Sequence, residues 1–598
     1  MRKFTVFLLV SFSISSFAQE VISDLVLNPV LVDYKYKINP FKSTLSLPFI
    51  DDFSYDSHQV DNDLWMESSV FVNRTYSINP PTIGVATFDG LDANGFARDF
   101  SPSTSSEPSD TLLSQTIDLS GISSAYFMFY YQGKGMGDAP QQLDKLVLEF
   151  LNDTLGWEQI WFANGQSMTE FERKVDTINE ARFLHNSFQF RFRNYATISG
   201  NFDHWNVDYV KIDELTSTSD FDELNDVSFV YNSPSFLKRY TQMPWTHFKN
   251  NEANELKDSI DILIRNNDAS INVDYQFNVF ENNNQFYHFP LIGVSINVEI
   301  LDYDTIGNFS FNNPPIDFQG NIFSSFQLDT TTFVVQNIIG TSTTDRKEND
   351  TLYHTQKFHH TFAYDDGTAE SAYGLNVDGA KLAYQFKLNR PDEKLRAVQM
   401  YFPQMLDSVN NIPFDLTVWD NNNNGQPGDT LYTQIVYPVH TENGKFHTYI
   451  IDNPFLVSGT IYIGWKQSTD DLLNIGLDKN NEANNYMFYN IGSGWLNSTY
   501  PGAWMIRPLI SLNNIILDVN ENNNAFKVFP NPAENELFVE TKGNENIISI
   551  YNLQGVLVKQ ITSTAALTKI NICDLSSSIY IIEVSNCKSR NYQKIIIK

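Results

Sequence analysis

The sequence is poor in cysteine and in basic residues. Only two cysteines occur, Cys573 and Cys587, and 40 Lys and Arg stand against 71 Asp and Glu, a formal net charge of −31. Without cysteine, the chain before Cys573 can have neither a disulfide scaffold nor a cysteine nucleophile. The negative charge repels phosphate groups and no basic stripe interrupts it, so nucleic-acid binding is excluded.

The motifs that identify the common enzyme classes are missing as well. The chain has no H-E-x-x-H zinc motif, no G-x-S-x-G nucleophile elbow, no phosphate-binding P-loop and no G-x-G-x-x-G in a βαβ setting. Paired carboxylates for polysaccharide hydrolysis stay open, because 71 acids are present and the separation they need, roughly 5 to 10 Å, depends on the fold.

A secretory leader is indicated at the N-terminus. Met1 to Lys3 form a short basic region, residues 4–17 are largely apolar, and Ser16-Phe17-Ala18 has the small-x-small pattern of a cleavage site. The apolar stretch has about fourteen residues, fewer than the roughly 20 that a transmembrane helix needs. We therefore expect a signal peptide over residues 1–18, export of the chain, and no transmembrane span.

Strand-forming residues are abundant in the rest of the chain. Aromatic residues make up 14% of it, and the apolar runs are short, rich in Phe, Tyr, Val, Ile and Thr, and bounded by Gly, Asn and Asp. Long helical heptads are missing. Because 598 residues exceed the capacity of one core, we predict an all-β, multidomain chain of about four β-sandwiches.

The C-terminal residues 526–598 carry the most distinctive motifs. The residues that mark them are Pro530, Asn531 and Pro532 in V-F-P-N-P, Tyr551, Asn552 and Gly555 in Y-N-L-Q-G, Tyr580 in I-Y-I-I, and Lys594 and Lys598 in the final K-I-I-I-K. The apolar runs between them are typical of short strands, the stretch 552–555 supplies a hairpin turn, and the prolines block ladder hydrogen bonds. These features predict a small immunoglobulin-like sandwich.

The order of these motifs resembles the type A C-terminal sorting domain of the bacterial type IX secretion system. The resemblance implies that the secretion machinery and its sortase are partners, and that the product is secreted or attached to the outer surface of a Gram-negative cell. Ser578 departs from the family pattern, in which a Gly usually stands shortly before the penultimate-strand Tyr. A disulfide between Cys573 and Cys587 is allowed in an oxidising compartment if their Cα atoms lie close enough.

Residues 49–215 predict a first sandwich. Its strand candidates are 126–131, 146–150, 188–192 and 207–212. Their order, together with Asp51-Asp52-Phe53 and the run 204–210, resembles MAM-type and concanavalin-like jelly-roll domains. That resemblance implies binding to proteins or glycans without catalysis.

The remaining stretches predict two further sandwiches and their connections. They are a lead-in segment 19–48, an immunoglobulin-like spacer 222–356, a second sandwich 361–517 and a polar linker 518–525. The spacer prediction rests on the near-alternation of apolar and polar residues in 273–280 and 294–300. The linker sequence D-V-N-E-N-N-N-A can bury little, so it is expected to connect rather than to fold.

One turn has the spacing of half a calcium loop. Asp420, Asn422 and Asn424 stand in a D-x-N-x-N-G pattern, and Asp429 supplies a later carboxylate. A complete loop ends in a bidentate Glu at its twelfth position, where this chain has Leu431. Calcium is the one cofactor that the sequence suggests, and a hairpin turn built from Asn and Gly without metal explains the same residues.

The function predicted from these observations is binding. Aromatic residues such as Trp161, Trp495, Tyr500 and Trp504 would stack on sugar rings where exposed, although a Trp in a sandwich is more often part of the core. With no catalytic motif in view, we predict an exported, non-catalytic protein that acts in adhesion or binds glycans or surface proteins. The alternative is a secreted hydrolase acting on polysaccharide or protein.

Overall fold

The computed structural model of the chain forms two compact units, residues 1–512 and 513–598. The structure describes residues 20–32, 44–99, 101, 106–168, 170–217, 224–249, 251–267, 271–290, 297–299, 305–307, 328–341, 345–405, 411–441, 444–512, 526–533, 535–541, 546–552, 556–585 and 590–598. The predicted signal peptide over 1–18 and the predicted linker over 518–525 lie outside these residues.

The first unit begins with a short segment and a two-sheet sandwich. The segment contains β1 (Glu20–Ser23) and the one-turn helix α1 (Pro29–Val32). The sandwich contains β2 (Phe49–Asp51), β3 (Trp65–Ser68), β4 (Phe71–Asn73), β5 (Val85–Phe88), β6 (Glu107–Ser114), β7 (Ala125–Gly133), β8 (Lys145–Leu151), β9 (Trp157–Asn164), β10 (Glu172–Ile178), β11 (Phe190–Ala196) and β12 (Trp205–Glu214).

The two sheets of this sandwich are antiparallel and share one core. One has the strand order β10-β7-β12-β5-β4, with β2 paired to β12, and the other has the order β3-β6-β11-β8-β9. Phe127 of the first sheet packs against Phe150 and Phe190 of the second, with ring centroids 5.3 and 4.7 Å away. Alternate residues of each strand point into this core, which is the periodicity that the sequence shows.

A second group of strands follows in residues 226–358. It contains β13 (Asp226–Phe229), α2 (Trp245–Phe248), α3 (Glu252–Glu255), β14 (Ile264–Asn267), β15 (Asn272–Glu281), β16 (Asn284–Phe289), β17 (Asn297–Glu299), β18 (Thr305–Gly307), β19 (Thr331–Thr341) and β20 (Thr351–Phe358). The sheets have the orders β13-β14-β18 and β16-β15-β19-β20, with β17 paired to β15.

The third group of strands completes the first unit. It contains β21 (Ser371–Leu375), β22 (Lys381–Lys387), β23 (Glu393–Met400), β24 (Phe414–Asn421), β25 (Pro427–Val436), β26 (His447–Val457), β27 (Thr460–Lys466), β28 (Ile475–Asp478), a 3-10 turn (Asn484–Tyr486), β29 (Met487–Asn490), β30 (Leu496–Asn497), β31 (Ala503–Trp504) and β32 (Ile506–Ser511). The sheet orders are β25-β24-β27-β22-β29-β30, β26-β23-β32 and β1-β21-β28-β31.

The N-terminal segment is part of this third group. β1 pairs antiparallel with β21, so that Glu20 lies opposite Leu375. The buried carboxylate of Glu20 accepts hydrogen bonds from the hydroxyls of Tyr373, at 2.8 Å, and Ser498, at 2.5 Å. The lead-in residues therefore complete a sheet whose other strands begin at Ser371, Ile475 and Ala503, more than 340 residues further along the chain.

The described residues of the second unit form a small sandwich of seven strands. They are β33 (Phe526–Phe529), β34 (Glu536–Thr541), β35 (Asn546–Asn552), β36 (Leu557–Ser563), β37 (Leu567–Asn571), β38 (Ser578–Ser585) and β39 (Arg590–Ile597). The sheets have the orders β33-β34-β37 and β36-β35-β38-β39. Aliphatic residues such as Val539, Ile550 and Ile582 fill the core between them.

The architecture confirms the predicted all-β class. Antiparallel sheets make up both units, and the helices of the described residues are single turns. Among those residues, no helix has the length and apolar character that crossing a bilayer requires.

Candidate functional site

The five-stranded sheet of the first sandwich has one face in the core and one face toward solvent. On β11, Phe190 and Phe192 are fully buried, whereas Arg191 and Arg193 remain partly exposed. Because side chains alternate along a strand, the neighbouring strands divide in the same way. We call the solvent side of β8, β9 and β11 the outer face, and its members are Lys145, Glu149, Trp157, Gln159, Phe162, Arg191, Arg193 and Tyr195.

Strand register brings these side chains together. β8 lies between β11 and β9, with Glu149 opposite Arg191 and Lys145 opposite Tyr195. On the other side of β8, Glu149 lies opposite Gln159. Adjacent strands are about 4.8 Å apart, so residues in register form rows of neighbours across the sheet.

One row is fixed by a short ion pair. The Nε of Arg191 donates to Glu149 Oε2 at 2.5 Å, and its guanidinium carbon lies 4.2 Å from the centroid of the Trp157 ring. A guanidinium over an indole ring is a favourable stacked contact. Arg191 therefore orients both the carboxylate and the aromatic ring.

A second cluster surrounds Tyr195. The Lys145 Nζ lies 4.9 Å and the Arg193 guanidinium carbon 5.7 Å from the centroid of its ring. Arg193 Nη1 is 3.8 Å from Glu149 Oε2, which is too long for a hydrogen bond. The ring of Tyr195 thus has two cations beside it, Lys145 and Arg193. The Nη1 donor of Arg193 makes no hydrogen bond to Glu149.

The outer face combines flat apolar rings with hydrogen-bonding groups. Phe162 is 49% exposed, so part of its ring is open to solvent. Aromatic rings beside guanidinium, ammonium, carboxylate and amide groups suit a ligand that has both apolar faces and polar edges. Among the described members of the outer face, Glu149 is the carboxylate.

The predicted calcium loop forms the hairpin turn between β24 and β25. Asp420 Oδ1 accepts from the Asp429 backbone N–H at 2.7 Å, and Asn422 Oδ1 accepts from the N–H groups of Asn424 and Gln426 at 2.8 and 3.0 Å. The four predicted ligands are thus close together, with two of their oxygens bonded to the backbone. Nowhere in the described part of the chain are three or more His, Cys, Asp or Glu side chains grouped to hold a metal ion. Calcium stays a prediction.

Buried acids lie close to the pairing of β2 with β12 in the first sandwich. Arg346 Nη2 lies 3.2 Å from Asp52 Oδ1 although the two residues are 294 positions apart. Thr82 Oγ1 donates to Asp208 at 3.1 Å, and burial raises the pKa of Asp208 well above its usual range. Burial likewise raises the pKa of Asp51 to about 7.

In the second unit, the structure brings the V-F-P-N-P motif to the end of the chain. The Asn531 side chain donates to the Lys594 carbonyl at 2.9 Å and accepts from the Ile596 N–H at 2.8 Å. The Ala533 N–H donates to the Ile596 carbonyl at 2.8 Å, and Lys598 N–H donates to the Ala533 carbonyl at the same distance. Asn531 therefore holds the segment from Pro530 to Pro532 against the last strand, β39.

The other predicted sorting residues occupy strand ends. Asn552 ends β35, where its Oδ1 accepts from the Val556 N–H at 2.9 Å, and Tyr551 precedes it in the same strand. The buried Tyr580 donates its hydroxyl to the Ser576 carbonyl at 2.9 Å. Gly555 lies outside the described residues, as does Cys587. Cys573 is exposed, and its disulfide with Cys587 stays a prediction.

The predicted aromatic residues mostly face inward. Trp504 is fully buried, Trp161 packs against Phe129 and Tyr131, and Trp495 packs against Trp419. The residues of the outer face were missed, namely Lys145, Glu149, Trp157, Phe162, Arg191, Arg193 and Tyr195. The alternation F-R-F-R in β11 is the signal that could have indicated them, because charged residues between buried Phe must face solvent.

Comparison with known proteins identifies the second unit. Residues 527–598 match the family described as secretion system C-terminal sorting domain. The predicted resemblance is confirmed for this region, which directs the chain through the type IX system to the cell surface or the medium. No curated protein matches the chain.

Several solved structures are similar to parts of the chain. The CBM22-1 xylan-binding domain of Paenibacillus barcinonensis Xyn10C is 7% identical, covering 30% of this chain and all of its own, with a TM-score of 0.19. The K3 cleaved adhesin domain of Porphyromonas gingivalis Lys-gingipain is 11% identical, covering 28% and 91%, with a TM-score of 0.17. PorZ, a surface component of the P. gingivalis type IX system, is 11% identical, covering 57% and 50%, with a TM-score of 0.12. Scores this low do not bear on function.

Proposed function

We propose that the protein is an exported binding protein whose first sandwich holds a glycan on its outer face. The observation that carries the proposal is a set of aromatic rings held at the solvent side of a sheet by charged partners. Trp157 is stacked under Arg191, and Tyr195 lies between Lys145 and Arg193.

Sugar rings suit this face for a physical reason. One side of a sugar ring presents C–H groups that pack on an aromatic ring, while its edge presents hydroxyls that need donors and acceptors. The outer face offers both, since Trp157, Gln159 and Phe162 lie along β9 within five residues, about 16 Å of strand. Strand positions are rigid, so little ordering is required on binding.

The test is binding by the full chain to a glycan array and to a set of surface proteins, followed by the Trp157→Ala and Tyr195→Ala variants. We expect glycan binding that falls about fivefold or more in each variant, because removal of a stacked ring costs about 1–3 kcal/mol. Tyr353→Ala, which removes an exposed ring elsewhere in the first unit, is the matched control. Glycan binding that survives both ring deletions would show that the outer face is not the site.

The relation of residues 49–215 to MAM-type jelly rolls is part of this proposal, because such domains bind without catalysis. A hydrolase is the weaker choice, since the outer face supplies Glu149 alone as a carboxylate. Turnover of a polysaccharide by the purified chain, lost in Glu149→Gln, would reverse that preference.

A further inference from the structure

The outer face has the opposite charge from the domain that carries it. Residues 49–215 contain 25 acidic and ten basic side chains. Three of the ten, Lys145, Arg191 and Arg193, lie on the outer face around the single acid Glu149. The rest of the domain is therefore strongly negative, and this face is locally positive.

We propose that the ligand of the outer face is an acidic polysaccharide, and that Arg193 binds its carboxylate or sulfate groups. This inference rests on the proposed function and adds the chemical class of the ligand. A neutral glycan would contact the aromatic rings and a few hydrogen-bonding groups. It carries no negative charge that could pair with Lys145 and Arg193.

Arg193 is the cation available for this contact. Arg191 is already paired with Glu149 at 2.5 Å, whereas Arg193 Nη1 is 3.8 Å from the same oxygen. The side chain of Arg193 is 25% exposed, so its fork of donors is partly open to solvent. A planar guanidinium matches a carboxylate or sulfate with two parallel hydrogen bonds, which neutral sugar hydroxyls do not supply.

Lys145 strengthens the same preference. Its ammonium and the Arg193 guanidinium both lie within 6 Å of the centroid of the Tyr195 ring. Two positive charges that share one ring repel each other, and an anion bound beside Tyr195 is attracted by both. The ring then packs on the sugar that bears the anion.

The face is wide enough for more than one residue of a polymer. From β9 across β8 to β11 there are two strand spacings, about 10 Å. Phe162 on β9 and Tyr195 on β11 are aromatic positions on either side of β8, with Arg193 next to Tyr195 along β11. A chain that crosses the strands meets a ring, a cation and a second ring in turn.

The test compares matched acidic and neutral polymers. Polygalacturonate is compared with its methyl ester, and dextran sulfate with dextran, using the full chain and measuring affinity at two salt concentrations. We expect binding to an acidic polymer, at least tenfold weaker binding to its neutral form, and weaker binding at high salt. Preference for polygalacturonate assigns the carboxylate, and preference for dextran sulfate assigns the sulfate.

Substitutions locate the effect on the outer face. Arg193→Gln should weaken binding to the acidic polymer about tenfold, because a hydrogen bond to a charged group is lost, while Arg193→Lys should retain part of it. Lys174→Gln removes one charge from β10 in the other sheet and should change nothing. Arg193 is partly exposed, and an unchanged melting temperature of the variant checks that it is folded.

Two results would overturn the inference. Equal affinity for the acid and its ester, unchanged in Arg193→Gln and lost in Tyr195→Ala, would leave the outer face as a site for neutral glycans. Binding to none of the four polymers, together with no binding on the glycan array, would remove the proposed function as well.

Discussion

The two units are both antiparallel sandwiches, yet their interiors and charges differ. All nine tryptophans lie in residues 1–512, and the cores there are dense in aromatic rings. The core of residues 526–598 is mainly Ile, Val and Leu. Residues 526–598 contain six acidic and eight basic side chains, whereas the residues before them contain 65 and 32.

The difference shows how the two units use polar residues. In the first unit, the fully buried carboxylate of Asp52 is paired with the partly buried Arg346, and other charged groups are arranged on an exposed sheet face. In the described part of the second unit, the ion pairs Lys559–Asp574 and Lys569–Glu536 involve largely exposed groups. Its distinctive polar residue, Asn531, bonds to the backbone instead. The first unit therefore has polar side chains that are available to bind a ligand. In the second unit, the polar side chain of Asn531 stabilises the fold instead.

The largest effect should come from the buried ion pair of the first unit. Arg346→Ala leaves the fully buried Asp52 carboxylate without its cation. We expect a loss of about 3 kcal/mol in the free energy of unfolding, because breaking a buried pair strands the remaining charge. Since all tryptophans lie in the first unit, the fluorescence midpoint in denaturant measures this unit alone.

An exposed pair in the same unit is the control for Arg346. Arg182 and Glu180 are 47% and 58% exposed, so Arg182→Ala should cost less than about 1 kcal/mol. Asp52→Asn combined with Arg346→Ala should recover part of the loss. Equal effects of the two arginine substitutions would mean that buried pairing does not distinguish the first unit.

A smaller effect should follow pH. Burial raises the pKa of Asp51 from 3.8 to about 7, so the folded state keeps a proton that the unfolded state releases between these values. Stability contributed by this proton is present at pH 4 and is lost as the pH rises through about 7. Burial also raises the pKa of Asp203 to about 7 and that of Glu370 to about 8. Their contributions to stability are therefore lost in the same direction, as the pH rises.

The variant Asp51→Asn should flatten this dependence. We expect the difference in unfolding free energy between pH 5 and pH 8 to shrink by on the order of 2 kcal/mol, given about 1.4 kcal/mol per tenfold change in proton affinity. The titratable and charged groups that face Asp51 are Tyr55, Asp52 and Arg346, beside the ring N–H of Trp65. Asp118→Asn, at an exposed group whose pKa is lowered by Ser120, should leave the slope unchanged. A slope that persists in Asp51→Asn would assign the dependence to other carboxyls.

Sequence reasoning succeeded where the signal is local and failed where it is long-range. The sorting motifs predict their own strands and turns, and Asn552 indeed ends a strand at a turn. The strand predicted over 188–192 overlaps β11 (Phe190–Ala196). The outer face, however, depends on the register of β8, β9 and β11, which lie up to some 45 residues apart. No local pattern could pair Asp52 with Arg346 across 294 residues.

In the second unit, Asn531→Ala should have a moderate and separate effect. It removes both hydrogen bonds between the Asn531 side chain and β39, at Lys594 and Ile596. We expect a loss of about 1 kcal/mol, since water can satisfy the exposed groups, with faster hydrogen exchange of the Ile596 amide. Asn531→Asp keeps the acceptor for that amide and should protect it. A change in the tryptophan midpoint would contradict the independence of the two units.

The smallest effect should come from calcium, which we propose binds weakly at the turn between β24 and β25. Two carboxylates, Asp420 and Asp429, are few for this ion, so a dissociation constant near 1 mM is expected. At an equal calcium concentration the free energy of unfolding rises by about 0.4 kcal/mol, which gives a small rise in the denaturation midpoint of the first unit only.

Trp419 directly precedes Asp420, so its fluorescence reports calcium binding at the loop itself. Asp420→Asn with Asp429→Asn should abolish the rise, and magnesium should not replace calcium. If 10 mM calcium changes neither the midpoint nor the Trp419 fluorescence, calcium does not bind here. The turn is then explained by Asn422, which accepts hydrogen bonds from two backbone amides.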